Sequence, residues 1–143
     1  MNSVILHLFL SSLLLATFFA EIPLREKLES LTWKNRVIVI YTPDASSKEF
    51  QQQKQILAAK PKELKERDLV VIECVGQTLD AEDKNYLARH FSHDLTKFGV
   101  WLVGKDGGTK LTETQPVTAE KFFSLIDSMP MRQAEMRRGT PKN

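Results

Sequence analysis

Apolar runs and helix-period stretches alternate along the chain after its first twenty residues. Residues 37–41 are apolar without alternation, which is typical of a strand covered on both faces. Residues 69–75 and 99–103 are similar, mostly apolar runs, the first followed by a glycine and the second opened by one. Residues 109–112 form a shorter run, in which Lys110 suits the exposed edge of a sheet. The pattern therefore predicts four strands.

Four helices are predicted around these strands. Apolar residues recur at helical spacing in the first and last of them. Three polar residues stand where helix N-caps belong, namely Ser46, Asp80 and Thr118. Pro61 is expected to end the second helix. The predicted helices cover residues 23–32, 46–60, 81–91 and a last segment from Thr118 to Met129.

The order of these elements limits how they can pack. A strand–helix–strand unit places its two strands parallel, with a right-handed crossover. The last two strands are joined at residues 105–108, where Asp106-Gly107 is typical of a two-residue hairpin turn with positive φ angles. We therefore predict an α/β fold of thioredoxin-like type, with a four-stranded mixed sheet and helices on both faces.

Residues 1–20 differ from the rest of the chain. They are mostly apolar and contain no Lys, Arg, Asp or Glu. A short apolar run at the N-terminus followed at once by charged residues is typical of an export signal, with cleavage expected after Ala20. An uncleaved membrane anchor is the alternative, since a helix over residues 4–20 would span roughly 25 Å. A buried first helix is disfavoured because the run has no polar face.

The chain is therefore divided into three parts. Residues 1–20 are a signal peptide or N-terminal anchor, residues 21–138 are the thioredoxin-like domain, and residues 139–143 are a flexible tail. The protein is expected to be exported: secreted, periplasmic, or membrane-anchored and facing outside the cytoplasm. Contact with a membrane is expected only through residues 1–20, and only if they are not removed.

Three segments of the domain resemble a known family. They are residues 67–73 (RDLVVIE), 102–108 (LVGKDGG) and 126–136 (IDSMPMRQAEM). Together they resemble the domain of unknown function 4174, which is repeated in the animal matrix protein equarin and occurs in sushi-repeat-containing extracellular proteins. The resemblance covers residues 23–138. It implies a thioredoxin-like or peroxiredoxin-like fold, export and, in animals, adhesion and matrix association, but it implies no agreed catalytic residue.

The redox apparatus of a thioredoxin is expected to be absent. A redox thioredoxin keeps a cysteine of low pKa in the loop after its first strand, where the next helix stabilises the thiolate. Residues 41–47 contain no cysteine here, and Ser46 and Ser47 have no local base, so we expect them to cap the helix. Thioredoxins also carry a cis-proline just before the third strand. Gly99 stands at about that position here, so this part of the redox apparatus is expected to be absent as well.

Cys74 is the only cysteine of the chain. A single cysteine excludes an intramolecular disulfide, a Cys-x-x-Cys pair and a cysteine-built zinc site. Because Cys74 falls within the second strand, we expect it to be a small buried core residue. A one-cysteine redox site and an intermolecular disulfide after export remain the alternatives.

Charge and the remaining polar residues exclude further classes of function. Lys and Arg number 20 and Asp and Glu 18, a net charge of +2, which argues against binding to nucleic acid. His90 and His93 are spaced to share a helix face with Asp94 beside them, as in a metal site. A cationic residue such as His90 is favoured at a helix C-terminus whether or not a metal binds. We therefore expect no metal site, and we expect no cofactor.

The strongest candidate for a binding surface lies in the third family-like segment. Its Met-Pro-Met-Arg run has no general structural explanation, its methionines offer adaptable apolar surface, and the arginines around it give a local positive excess. The candidate residues are Met129, Pro130, Met131, Arg132, Glu135 and Met136. The expected partner is an unidentified protein or an anionic glycan.

Three functions are compatible with these observations. The main hypothesis is an exported thioredoxin-like module without redox cysteines, which binds a protein or glycan without catalysis. The alternative is a one-cysteine, peroxiredoxin-like oxidoreductase that uses Cys74, which would require an exposed and acidic thiol. A purely structural component of the envelope or matrix is the third.

Overall fold

The structure, a computed structural model, describes residues 21–139. The predictions for residues 1–20 and for residues 140–143 lie outside this part of the chain. No helix among the described residues is long and apolar enough to span a bilayer. The helices and strands of the described part are α1 (Leu24–Leu31), β1 (Arg36–Thr42), α2 (Lys48–Ala58), α3 (Pro61–Glu66), β2 (Leu69–Val75), α4 (Ala81–His90), β3 (Gly99–Val103), β4 (Thr109–Glu113), α5 (Ala119–Asp127) and α6 (Pro130–Gly139).

The four strands form one mixed sheet in the order β2-β1-β3-β4. β1 runs parallel to β2, with Ile38 opposite Val71. β3 runs antiparallel to β1 and to β4, and Leu102 lies opposite both Ile38 and Leu111. The predicted α/β fold with a four-stranded mixed sheet is confirmed.

Helices cover both faces of this sheet. On one face, side chains of β1 and β3 pack with α2 and α5 around Phe50 and Phe122. On the other face, the alternate side chains of the same strands pack with α1 and α4 around Leu28 and Leu87. Every residue of β1 is buried, because helices lie against both of its faces. This is why its apolar run shows no alternation.

Two predicted N-caps are confirmed. The Asp80 carboxylate accepts a hydrogen bond of 2.8 Å from the amide of Asp83 at the start of α4. The Thr118 hydroxyl accepts one of 3.2 Å from the amide of Lys121 at the start of α5. Each cap satisfies an amide that a helix N-terminus leaves without an intrahelical partner.

The predicted cap of the second helix is wrong by one residue. Ser47, not Ser46, caps α2, because the Ser47 hydroxyl accepts a hydrogen bond of 3.2 Å from the Phe50 amide. Ser46 instead donates from its hydroxyl and its amide to the Asp44 carboxylate, at 2.8 Å in both cases. The Asp44 side chain thus holds the turn that precedes α2.

The sequence pattern predicts neither α3 nor α6. Pro61 ends α2 as expected, but it also opens α3 at the first helical position, where a missing N–H has no cost. Pro130 opens α6 in the same way, and this helix runs to Gly139. Neither helix buries a residue, so neither shows the apolar periodicity that would reveal it.

The turn between β3 and β4 is longer than predicted. Gly107 alone has a positive φ there, at 81°, whereas a two-residue turn of the predicted kind needs two such residues. The Gly104 amide donates to the Gly108 carbonyl at 2.8 Å, and the Gly107 amide donates to the Gly104 carbonyl at 3.0 Å. The chain therefore turns through three residues, the second commonest hairpin type.

Candidate functional site

The loop from β1 to α2, where a redox thioredoxin keeps its thiol, is occupied by hydroxyl groups. Thr42 is fully buried, and its hydroxyl donates to the Asp44 carbonyl oxygen at 2.7 Å. The Ser47 hydroxyl lies 2.9 Å from that of Thr42 and also caps α2. These hydroxyls are hydrogen-bonded within the loop itself, so they stabilise the loop and are not activated by a base.

Cys74 lies inside the domain, as predicted for a core residue. It is 2% exposed and packs in the cluster formed by α1, α4 and the sheet. Burial, reinforced by the Asp83 carboxylate, raises the pKa of the Cys74 thiol to about 12. The thiol is therefore protonated at neutral pH, while the nucleophile of a redox site must be a thiolate.

The two histidines considered as metal ligands contact different parts of the domain. His90, the last residue of α4, stacks on Tyr86 at 4.9 Å. His93 packs edge-on against Trp101 at 4.8 Å, and its Nε2 lies 2.9 Å from the Lys97 carbonyl oxygen. No cluster of three or more metal-ligating side chains occurs within residues 21–139.

The three family-like segments converge at the other end of the sheet, where β1 begins. Arg67, from the first segment, donates to both carboxylate oxygens of Asp127 in the third, at 3.0 and 2.6 Å. Lys105, from the second segment, donates to Asp68 at 2.8 Å and to Glu135 at 2.7 Å. Segments that are far apart in the sequence therefore share one set of ion pairs.

Arg36, the first residue of β1, lies at the centre of these pairs. Its guanidinium donates to the two carboxylate oxygens of Glu135 at 3.1 and 3.2 Å. Arg132 lies between Asp127, at 3.3 Å, and Glu135, at 3.6 Å. We call this set the ion network; its members are Arg36, Arg67, Asp68, Lys105, Asp127, Arg132 and Glu135.

The network lowers the pKa of its carboxyl groups. Partial burial opposes ionisation of Glu135, but hydrogen bonds from Arg36 and Lys105 outweigh it and lower the pKa to about 2. Burial likewise opposes ionisation of Asp127, and its hydrogen bonds with Arg67 and Arg132 again leave the pKa below its ordinary value. Both carboxyl groups are ionised over the whole physiological range of pH.

A cleft of about 310 Å³ adjoins the network. Methionine and proline side chains at the start of α6 form one wall, and cationic side chains form the other. We call it the methionine cleft; it is lined by Arg36, Gly104, Lys105, Asp106, Lys110, Met129, Pro130 and Met131. Its volume is at the lower end of the range for small-ligand pockets.

The six residues predicted to form a binding surface fall into two groups. Met129, Pro130 and Met131 line the cleft, and Met136 is 39% exposed on α6. Arg132 and Glu135 are instead members of the ion network, with side chains only 14% and 18% exposed. The Met-Pro-Met-Arg run thus has a structural role after all, because it starts α6 and places these two charges.

Sequence reasoning missed several residues of this end of the domain. Arg36 carried a signal, since a charged residue directly precedes the apolar run of residues 37–41. Trp33 is 68% exposed and has a φ of 66°, unusual for an aromatic residue. The Trp33 amide donates to the Lys105 carbonyl at 2.6 Å, which ties the α1–β1 connection to the turn that lines the cleft.

A family of unknown function matches most of the chain. The model of the domain of unknown function DUF4174 matches residues 27–135, which contain the whole ion network. The chain belongs to the DUF4174 family. The resemblance carried by the three segments is therefore confirmed, and the matched residues of this DUF4174 chain include Glu135, which pairs with Arg36.

The DUF4174 domain also resembles a solved structure. The crystal structure of the reduced 2-Cys peroxiredoxin of Plasmodium vivax aligns with a TM-score of 0.57 and 12% sequence identity, over 76% of this chain and 84% of that one. At this identity the likeness shows the fold alone, and it confirms the thioredoxin-like architecture. No curated protein sequence matches the chain.

Proposed function

We propose that this DUF4174 protein is an exported, non-catalytic binding module that recognises a protein or an anionic glycan. Its binding surface is the end of the sheet where β1 begins, formed by the methionine cleft and α6. The observation that carries the proposal is the convergence of the three family-like segments on this cleft and its ion network. At the end that holds the thiol in a redox thioredoxin, the Thr42 and Ser47 hydroxyls are hydrogen-bonded within the loop and to the first turn of α2.

Exposed apolar side chains support a binding surface at this end. Four large hydrophobic side chains of the described residues are exposed, and three of them are Trp33, Met131 and Met136. Trp33 is tied to the turn that lines the cleft, and both methionines belong to α6. Methionine and tryptophan are favourable at interfaces because they bury large apolar areas, methionine with adaptable shape.

The charges at this end favour an anionic partner. Within the ion network, the cations and carboxylates nearly balance. Three exposed cations add to it: Lys34 beside Trp33, and Arg137 and Arg138 in the last turn of α6. A local positive excess attracts acidic protein surfaces and anionic glycans alike.

A photo-cross-linking side chain in place of Met131 tests the proposal. The matched control carries the same side chain in place of Lys48, which is exposed at the start of α2, at the opposite end of the sheet. Each variant is incubated with the extracellular fraction of the producing cells. We expect adducts from position 131 and none from position 48.

Retention on a column of immobilised sulfated polysaccharide tests whether the partner is an anionic glycan. Replacing Arg137 and Arg138 by glutamine should then lower the salt concentration that elutes the protein. The proposal is contradicted if position 131 gives no specific adduct and the protein also passes through the column without retention.

A further inference from the structure

Arg36 is a charged side chain held inside the domain. It is the first residue of β1, and its side chain is only 1% exposed. Its guanidinium donates to the Arg67 carbonyl oxygen at 3.0 Å and to both carboxylate oxygens of Glu135. A buried guanidinium is strongly destabilising unless an anion pairs with it. Arg36 therefore requires an anion at this position.

A second cation completes a site for one carboxylate. Lys105, whose side chain is 11% exposed, donates to Glu135 from the turn between β3 and β4. Three N–H groups thus converge on one carboxylate, and the fork of the Arg36 guanidinium matches its planar shape. Neither cation belongs to α6, so the site is part of the body of the domain and Glu135 is its occupant.

The helix that carries Glu135 is attached to the domain mainly by charge. α6 buries no residue, whereas burial of an apolar face is what normally holds a helix in place. It starts at Pro130, and two residues separate it from the end of α5 at Asp127, so the chain has a natural break there. Arg132 of α6 pairs with Asp127, which belongs to α5 and lies next to this break.

We propose that α6 is a releasable latch, and that the Arg36–Lys105 site takes a carboxylate from an acidic segment of a partner protein when Glu135 leaves. A carboxylate is favoured over a sulfate because a carboxylate occupies the site now, in bidentate geometry. Pro130 and Met131 of α6 belong to one wall of the methionine cleft, beside the same two cations, so release of α6 moves this wall away and exposes the site. The assignment of a partner protein rests on the proposed function, whereas the release of α6 does not depend on it.

Chemical rescue of Glu135→Ala tests whether the site binds a carboxylate from solution. Sodium formate, compared with sodium chloride at equal ionic strength, should raise the Tm of this variant by about 3 °C or more. The wild-type protein should show no such difference between the salts. The matched control is Glu113→Ala, which removes the carboxylate of the more exposed Lys121 pair and should also show none. Equal Tm values of Glu135→Ala in the two salts would overturn the proposal.

Hydrogen exchange of the wild-type protein tests the latch even if Glu135→Ala fails to fold. The amides of residues 134–139 should be protected at least about 100-fold less than those of β1, because the latch opens without global unfolding. Adding a hexaglutamate peptide should speed exchange in α6 and leave β1 unchanged. Protection of α6 equal to that of β1 would refute the latch.

The class of partner is decided by a second polyanion. If sulfated dextran speeds exchange in α6 and hexaglutamate does not, the acidic protein segment is wrong. The latch and the proposed function fail separately, since formate rescue and hydrogen exchange need no natural partner. Rescue without adducts at position 131 and without retention on the column would leave the latch standing and reject the proposed function. Adducts at position 131 without formate rescue would support the proposed function and reject the latch.

Discussion

Ser46 and Ser47 are neighbours with different hydrogen bonds, and this difference can be measured. Ser47 satisfies an amide of the first turn of α2, whereas Ser46 bonds to the Asp44 carboxylate in an exposed turn. We expect Ser47→Ala to lower the free energy of unfolding by about 1 kcal/mol, as loss of an N-cap does. Ser46→Ala, the matched control, should cost less. Urea unfolding of both variants checks the order, and a larger loss for Ser46→Ala would contradict the assignment of the cap.

Cys74 should react slowly with alkylating reagents in the folded domain. Because burial raises the pKa of the thiol to about 12, roughly one molecule in ten thousand carries a thiolate at pH 8. The same reaction in urea serves as the control, since unfolding removes the burial. We expect labelling from pH 5 to 10 to be much faster in urea at every pH. Fast labelling of the folded protein with an apparent pKa well below about 8.5 would instead favour the one-cysteine oxidoreductase.

The attachment of α6 should weaken in acid. The pKa of Glu135 is about 2 in the folded protein, below its ordinary value of 4.5. A lowered pKa means that the carboxylate contributes stability above pH 4.5 and that this contribution is lost as the pH falls towards 2. The wild type should therefore be more stable than Glu135→Gln near pH 6, and the difference should shrink between pH 4.5 and 2. Urea unfolding across this range measures it, and a difference independent of pH would contradict the pairing.

The elements that could be predicted are those that bury apolar side chains. The strands and the helices α1, α2, α4 and α5 contribute residues to the core, and their apolar spacing reveals them. α6 buries nothing, and what holds it is a pairing between Arg36 and Glu135, 99 positions apart in the sequence. Such a pairing leaves no local pattern. The apolar pattern of the sequence therefore predicted the fold, but it gave no sign of the ion pairs that Arg132 and Glu135 make.

At the scale of the whole molecule, the two ends of the sheet differ in chemistry. At the carboxyl end of β1, Thr42 and Ser47 hold a loop together. At the amino end of β1, the ion network adjoins a cleft with a methionine wall, and Arg36 and Lys105 belong to both. The thioredoxin-like fold is thus retained, while the residues that the family-like segments bring together lie away from the place of the redox thiol.

The position of residues 21–23 predicts how the domain would face if residues 1–20 remained as an anchor. The Leu24 amide donates to the Asp83 carboxylate at 2.8 Å, so α1 starts beside the start of α4, which follows the carboxyl end of β2. The chain therefore enters the domain at the end opposite the methionine cleft. An anchored protein would hold its cleft away from the bilayer, and a cleaved one would begin at Glu21.

Surface labelling of intact cells tests export. A membrane-impermeant amine reagent should label Lys34, which is exposed beside Trp33 at the cleft end, in any protein that remains on the cells. Intact mass of the released protein should match a chain that starts at Glu21. A cytoplasmic marker protein, which must stay unlabelled, is the control. Because an exported domain exposes Lys34 whether or not it is anchored, labelling that appears only after the cells are opened would show that the protein stays inside.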